Sequence, residues 1–362
     1  MEAQPVNRPT TDDIAWVRSL VEGVFVIEDI TVGTGKTRAI RARGRFLGDA
    51  AAIYPILAAR ARARGYTLRF RRQGDETSIV LEPGVITARE SRSWLLSVLT
   101  AYMLFWGLEE YSWSAFRASL PAGLGFTAAM LSILTAHELA HYVVARHFGV
   151  PVTLPYFIPF PLSPLGTMGA VIAMKGIPPT KRAMLLIGMA GPVAGLALAI
   201  PILLYGLHLS QVAPLPAVGP YSLEGNSLLY LGLKYLVFRQ WLPSGGVDVL
   251  LHPVAFAGWG GLLVTALNLI PAGQLDGGHV ATALLGDKMR YLNWAIIVVL
   301  LVLGIWWQGW WLWAVLIFLF SRVRARPLND VSPLNRAEII AAILLLILFV
   351  LTFVPVPLRI IL

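Results

Sequence analysis

The sequence predicts a polytopic α-helical membrane protein, with six or seven transmembrane helices and a small N-terminal soluble α+β domain. Three observations lead there. Of 362 residues, 57% are hydrophobic and 14% charged, whereas an ordinary soluble domain carries about a quarter charged residues. Mean hydropathy is +0.69. Charge is uneven: residues 1–92 hold 15 of the 29 Lys and Arg and 11 of the 20 Asp and Glu. This composition excludes a disordered chain, a nucleic-acid-binding domain and a soluble globular enzyme; the lipid bilayer is the solvent for much of the chain. With no cysteine there is no disulfide framework, thiolate nucleophile or Cys-based zinc site, so any metal falls to His, Asp or Glu. The net charge of +9 reports topology and anionic headgroups before it reports nucleic acid.

Residues 1–92 read as a cytoplasmic α+β domain. The first 13 residues form a flexible tail, and no apolar run there resembles a signal peptide. Helical spacing of Ile14, Val17 and Leu20 predicts a helix over 12–21. Val24–Ile30 and Arg38–Phe46 read as paired strands. Gly48–Ala63 reads as a helix with Ile53, Ile56 and Leu57 on one side, ending at Gly65. Tyr66–Arg71 and Thr77–Leu81 read as strands around the turn Gln73-Gly74-Asp75. The run Val32–Thr37 superficially looks like a phosphate loop. That motif needs Gly five residues before Gly35, where Ile30 stands, and it needs a helix rather than a strand after it. A Gly-rich hairpin turn accounts for it.

From Ser93 the pattern changes to long apolar runs. Residues 93–286 form the membrane core and residues 287–362 add C-terminal transmembrane helices. The candidate spans are Trp94–Leu108, Ala122–Arg146, Ala183–His208, His252–Ile270, Leu292–Trp307, Trp310–Phe320 and Ala337–Val354. Trp310–Phe320 is too short to cross about 30 Å of hydrocarbon unaided. The cluster Trp306, Trp307, Trp310, Trp311 and Trp313 fits an aromatic belt at a headgroup level. With the N-terminal domain inside, seven alternating spans put ten Lys and Arg in cytoplasmic loops and four outside. This bias predicts a multi-pass protein of the cell (inner) membrane with a cytoplasmic N-terminal domain.

The sharpest motif is His137-Glu138-Leu139-Ala140-His141. On a helix, residues i and i+4 lie one above the other, so both imidazoles reach one zinc ion. Glu138 is then placed as general base for a metal-held water. Two His and a Glu in an apolar span are costly, which favours function over two satisfied core histidines. A catalytic zinc takes three protein ligands and an open position. His147 projects from another face, near the membrane boundary, and His208 and His252 read as groups snorkelling at outer span ends. The remaining candidate lies in Asn268-Leu-Ile-Pro-Ala-Gly-Gln-Leu-Asp276-Gly-Gly-His279, where Pro271 and Gly273 break a helix. Broken backbone at membrane depth is tolerated only in protein or a wet cavity. Asp276 reads either as the N-cap of the next helix or as a metal ligand, and its place at the break favours ligation. The row Gly188, Gly191, Gly195 predicts close packing of the third span against the His-bearing helix.

These two motifs together resemble the site-2 protease family of intramembrane zinc metalloproteases. The stretch Val247–Gly286 is most similar to a bacterial branch related to the plastid ethylene-dependent gravitropism-deficient and yellow-green proteases. The likeness covers roughly Ser93–Gly286 and implies a zinc metalloendopeptidase with one Zn2+ per chain. It implies that His137, His141 and Asp276 bind the metal, that Glu138 activates water, and that Asn268 holds the substrate or the developing oxyanion. A helix-end cap or an interhelical hydrogen-bonding group is the alternative reading of Asn268. The implied partners are transmembrane protein substrates. A metal transporter and a catalytically silent helix-binding scaffold are the competing classes.

Between the second and third spans, Val150–Lys181 carries seven prolines and an apolar, Gly-punctuated stretch, Gly166–Gly176. It is too short to span and reads as a membrane-associated hairpin on the cytoplasmic side. A free strand edge there can accept an unwound substrate segment by strand addition. An interfacial loop without substrate contact is the alternative. Counting back from Arg146, the two His lie roughly 8–14 Å below the cytoplasmic boundary at 1.5 Å per residue.

Overall fold

The computed structural model describes residues 11–33, 39–73, 76–84, 113–159, 165, 167–174, 176–216, 221–321 and 326–361. The expected N-terminal tail, most of the Gly-rich 32–37 turn and the expected span Trp94–Leu108 lie outside the described residues. So do the tip of the 73–75 turn and Pro161 and Pro164 of the Pro-rich loop.

The N-terminal domain is a four-stranded antiparallel sheet backed by two helices. Its elements are α1 (Thr11–Val21), β1 (Phe25–Val32), β2 (Ile40–Phe46), α2 (Ala50–Ala63), β3 (Tyr66–Gln73) and β4 (Glu76–Pro83). The strand order is β1-β2-β4-β3. One side of the sheet is apolar because inward residues alternate: Ile40 and Ala42 on β2, Leu68 and Phe70 on β3, Ile79 and Leu81 on β4 are buried. Val17, Leu20 and Val21 of α1 close over this face. On α2 the buried stripe is Ala50, Tyr54, Leu57 and Ala61. Ile56, expected on that stripe, is 58% exposed, because a position two after Tyr54 turns away from a face set by i, i+3/i+4 and i+7.

A short segment, 327–332, locks this domain to the rest of the chain. Phe70 on edge strand β3 donates its amide to Leu328 (2.7 Å) and accepts from Asp330 (3.2 Å). On its other side the segment donates from Leu328 and Asn329 to the carbonyls of Pro178 and Pro179 at 2.9 and 2.8 Å. Leu328 and Val331 pack on the domain's core. Fully buried Asn329 reaches Ser332 Oγ at 2.9 Å with its amide nitrogen and receives the Val331 and Ser332 amides on its oxygen.

The helical body starts with α3 (Trp113–His147), followed by the hairpin β5 (Tyr156–Pro159) and β6 (Thr167–Val171), then α4 (Lys181–His208). After α4 come β7 (Gln211–Pro214), β8 (Tyr221–Glu224), α5 (Leu228–Phe238) and β9 (Val247–Leu250). The chain then continues as α6 (Pro253–Asn268), α7 (Asp276–Leu285), α8 (Met289–Leu303), α9 (Gly309–Phe320), α10 (Arg336–Thr352) and β10 (Leu358–Ile361). Helix α4 is the hub, in contact with α3, α6 and α7. It begins beside the N-terminal domain, at Thr180, and ends at the far end of the body. There β7 pairs with β9, and β10 with β8. Fully buried Lys234 on α5 stands 3.2 Å from Asp248 and 3.8 Å from Glu224, and Tyr230 donates to Glu224 at 3.0 Å. Burial pushes the Glu224 carboxyl up, and the Lys234 ammonium opposes this.

Helix α6 runs back from the far end to mid-depth, and α7 carries the chain on toward the N-terminal domain. Helix α10 returns from the N-terminal side, where Arg182 pairs with Glu338 at 3.3 Å, to the far end. The outward faces of α8–α10 are apolar and open: Val298, Leu312, Val315, Leu344 and Val350 are each more than half exposed. An unbroken apolar exterior of this extent suits lipid rather than water.

Among the described residues, two helices, Pro121–His147 and Lys181–His208, are long and apolar enough to cross a membrane by themselves. Helices α6, α9 and Leu228–Phe238 are apolar but shorter. The tryptophan cluster also differs from the expected belt. Trp306 and Trp311 are 65% and 46% exposed, but Trp310 is buried and donates its indole N–H to the Pro355 carbonyl at 2.7 Å.

Candidate metal centre

The HELAH run occupies the second half of α3, and the four-residue spacing sets both imidazoles on the side facing α4 and α7. His137, Glu138 and His141 are buried at 3%, 6% and 5% exposure. Asp276 arrives from the other direction. After Asn268 the chain leaves the helix, turns through Pro271 and Gly273, and restarts as α7 at Asp276. Gly273 has φ +60, a conformation that costs glycine little. The restart is tight: a Cβ on Gly277 would meet the Leu269 carbonyl oxygen at 2.0 Å, and one on Gly278 those of Ala272 and Gly273 at 2.6 Å.

Asp276 is the first residue of α7, and the position before it, Leu275, makes no side-chain cap. The carboxylate therefore does not serve as the N-cap of that helix. It points at the imidazoles: Oδ2 is 3.2 Å from His137 Nε2 and 3.2 Å from His141 Nε2. The two Nε2 atoms are 3.1 Å apart. The structure brings His137, His141 and Asp276 into one cluster suited to a metal ion.

The donor set fits zinc. An ion with four ligands at about 2.0–2.1 Å separates tetrahedral neighbours by about 3.3–3.4 Å, close to the three distances found. The backbone around the pair is compatible with this. His141 Nδ1 lies 2.7 Å from the Ile187 carbonyl, which can only accept, so Nδ1 carries a proton and Nε2 is the ring atom left to face Asp276 and a metal. His137 Nε2 joins at nearly the same point. Two imidazole nitrogens and a carboxylate oxygen converge there, and hydrogen bonds to the carboxylate leave the 3.1 Å contact between the two nitrogens without a shared partner. A single cation supplies one.

The surroundings are equally close. A Cβ on Gly191 of α4 would lie 2.0 Å from His141 Nε2 and 2.7 Å from His137 Cδ2. One on Gly195 would lie 3.0 Å from His137 Nδ1. Gly188, expected to face the same helix, turns instead to α7, where its Cβ would lie 3.0 Å from the Asp276 carbonyl oxygen and the His279 Cβ. Asn268, the last residue of α6, puts Nδ2 3.4 Å from His137 Nε2. The Ile172 backbone just beyond β6 lies beside the Glu138 carboxylate, and β6 packs on α3, so the hairpin borders the site. His147 is exposed at the end of α3, against Phe148. His208 is exposed at the end of α4. His252 is engaged as the N-cap of α6, accepting from the Val254 amide at 3.3 Å, rather than snorkelling. The Ile187 carbonyl and Ile172 backbone were not legible in the sequence, because no residue type marks a backbone group.

Residues 125–304, just under half of the chain, match the family model for peptidase family M50, the site-2 protease family. The chain is 31% identical over 227 residues to the probable zinc metalloprotease EGY2, chloroplastic, of Arabidopsis thaliana, covering 62% of this chain and 40% of that protein. It is 35% identical over 246 residues to the probable zinc metalloprotease EGY1, chloroplastic, of Oryza sativa subsp. japonica, with 66% and 41% covered. The corresponding Arabidopsis EGY1 is 33% identical over 246 residues, with 66% and 43% covered. The chain thus spans about two fifths of the length of the curated relatives it matches. No solved structure matches it. The family is one of membrane proteins, in keeping with the long apolar helices and open apolar faces.

Proposed function

We propose that the chain is an intramembrane zinc metalloprotease that hydrolyses peptide bonds in or near transmembrane segments of membrane-protein substrates. One observation carries this: two imidazoles and a carboxylate from separate elements converge within 3.2 Å, and a buried Glu138 follows the first His. In this reading His137, His141 and Asp276 would hold one Zn2+. When bound, zinc supplies Lewis acidity, polarising the scissile carbonyl and bringing the pKa of a coordinated water to about 7. Glu138 takes the proton from the attacking water and delivers it to the leaving amine. Asn268 donates its amide N–H to the oxygen that gains negative charge, an interaction worth several kilocalories in a water-poor site.

A transmembrane helix hides its peptide bonds in internal hydrogen bonds, so it must unwind before cleavage. Among the described strands β6 pairs with β5 alone, and its far end touches Glu138 through Ile172. A substrate segment added along the open edge is held extended beside the base. The N-terminal domain lies in the cytoplasm of a cell whose inner membrane carries the protein, and the body crosses the bilayer six or seven times. The alternation of α3, α4, α6–α7, α8, α9 and α10 relative to the N-terminal domain supports that count, with α6 and α7 together making one broken crossing. A metal transporter would need further ligand stations along a path, and the described residues hold one such cluster.

The test is cleavage of a reporter transmembrane helix co-reconstituted with the full chain. Glu138→Gln is expected to abolish product while zinc content, read by mass spectrometry, stays at one per chain. Cleavage at the wild-type rate by that variant would falsify the assignment of the base.

A further inference from the structure

The turn after α7 faces the N-terminal sheet across a cleft of about 790 Å³. Its cations come from four separate stretches of chain. Arg41 stands on β2, and Arg71 and Arg72 on β3. Lys288 and Arg290 stand at the α7–α8 turn, and Arg326 lies in the segment before α10. Against these six cations the lining holds one carboxylate, Asp287, which pairs with Arg326. Just behind the wall, Asp330 lies 3.8 Å from Arg71 Nη1 and accepts the Arg72 backbone amide at 2.8 Å. The Arg290 guanidinium rests on the Tyr291 ring and donates to its hydroxyl. The side chains of Arg72 and Lys288 are exposed.

Gathering like charges from four segments into one concave space raises a positive potential, which among the described residues Asp287 and Asp330 offset in part. Arg is the side chain best matched to phosphate oxygens, through paired N–H donors. The volume falls in the range of small-molecule sites and exceeds what a single inorganic ion fills. From the base of the cleft α8 leads away with Tyr291 and Trp294, 62% and 59% exposed, the residue types that settle at a headgroup level. The cleft therefore lies where an anion is reachable from the water or from the bilayer surface.

We propose that this cleft is a binding site for a phosphate-ester anion, which bridges the N-terminal domain and the α7–α8 turn. A lipid headgroup and a soluble phosphoanion share this chemistry, and the test has an arm for each. The full chain is reconstituted in phosphatidylcholine nanodiscs. In one arm pyrophosphate is titrated calorimetrically; in the other the discs also contain phosphatidic acid, and lipid retained by the protein is read by native mass spectrometry. The triple variant Arg72→Gln, Lys288→Gln, Arg290→Gln is compared with Arg60→Gln, Arg62→Gln, which removes two exposed cations on α2 away from the cleft. Circular dichroism confirms that both variants fold. Binding in either arm that weakens about tenfold or more in the triple variant and is kept in the α2 variant supports the site. The arm that binds identifies the source. If wild type binds neither probe, if the triple variant binds as wild type does, or if the α2 variant loses as much, the site does not exist.

Discussion

Gly191 touches no substrate and holds no metal, yet the centre depends on it. Its α-carbon lies so close to the imidazole pair that a methyl group would fall 2.0 Å from His141 Nε2. The ring cannot retreat, since its other nitrogen is held by the Ile187 carbonyl at 2.7 Å. Gly191→Ala is therefore expected to reduce bound zinc well below one per chain, by mass spectrometry, while helix content stays at the wild-type level. Full zinc occupancy in that variant would mean that α4 packs more loosely than its geometry indicates. At this scale the HELAH residues were legible because their spacing is itself the geometry. The Gly188–Gly191–Gly195 row was legible only as close packing. Which neighbour each glycine meets depends on where α7 lies, and Gly188 faces α7 rather than the His-bearing helix.

At the scale of elements, the break between α6 and α7 does the positioning. Pro271 and Gly273 stop one helix, and Gly277 and Gly278 let the next begin against the backbone of the turn. Asp276 occupies the first position of α7 without capping it. Asp276→Asn should thus leave α7 formed while removing the anionic donor from the cluster. Zinc affinity, measured by competition with a chelating dye, is expected to fall by more than the about 10–100-fold typical of losing an outer hydrogen-bond partner. An unchanged affinity would assign the third ligand elsewhere. Strand and helix boundaries of the N-terminal domain were legible to within a few residues, since alternation and Gly punctuation are local signals. Trp310 reads from the sequence as a belt residue, yet its indole is buried. An indole shows neither from its type nor from its neighbours that a carbonyl 45 residues away will accept its N–H.

At the scale of the whole molecule, the N-terminal domain is fastened to the membrane body through residues 327–332, which bond to β3 on one side and to the start of α4 on the other. Asn329 organises that segment with two amides on its oxygen. Asn329→Ala leaves the buried Ser332 amide unpaired, at a cost of about 1–3 kcal/mol, and removes the partner of the half-buried Val331 amide. The expected outcome is faster hydrogen exchange along β3 and a lower unfolding temperature, with zinc content unaltered. Exchange at the wild-type rate would show that the seam is held by packing of Leu328 and Val331 instead. The seam matters to the site because α4 carries Gly191 and the Ile187 carbonyl. Nothing in the 92 N-terminal residues announces it, since the partner segment lies some 250 positions downstream.

Composition, hydropathy and two short motifs by themselves determined a membrane protein with an apolar body, a charged N-terminal domain and a cluster of His, Glu and Asp committed to one helix and one helix break. These follow from local spacing and from the cost of ionisable groups in an apolar span. Only the tertiary structure decided that Asp276 meets both imidazoles, that Gly191 rather than Gly188 makes room for them, and that a distant segment joins the two halves of the molecule. Such contacts pair residues far apart in sequence, and their distances are set by packing of whole helices rather than by any local pattern.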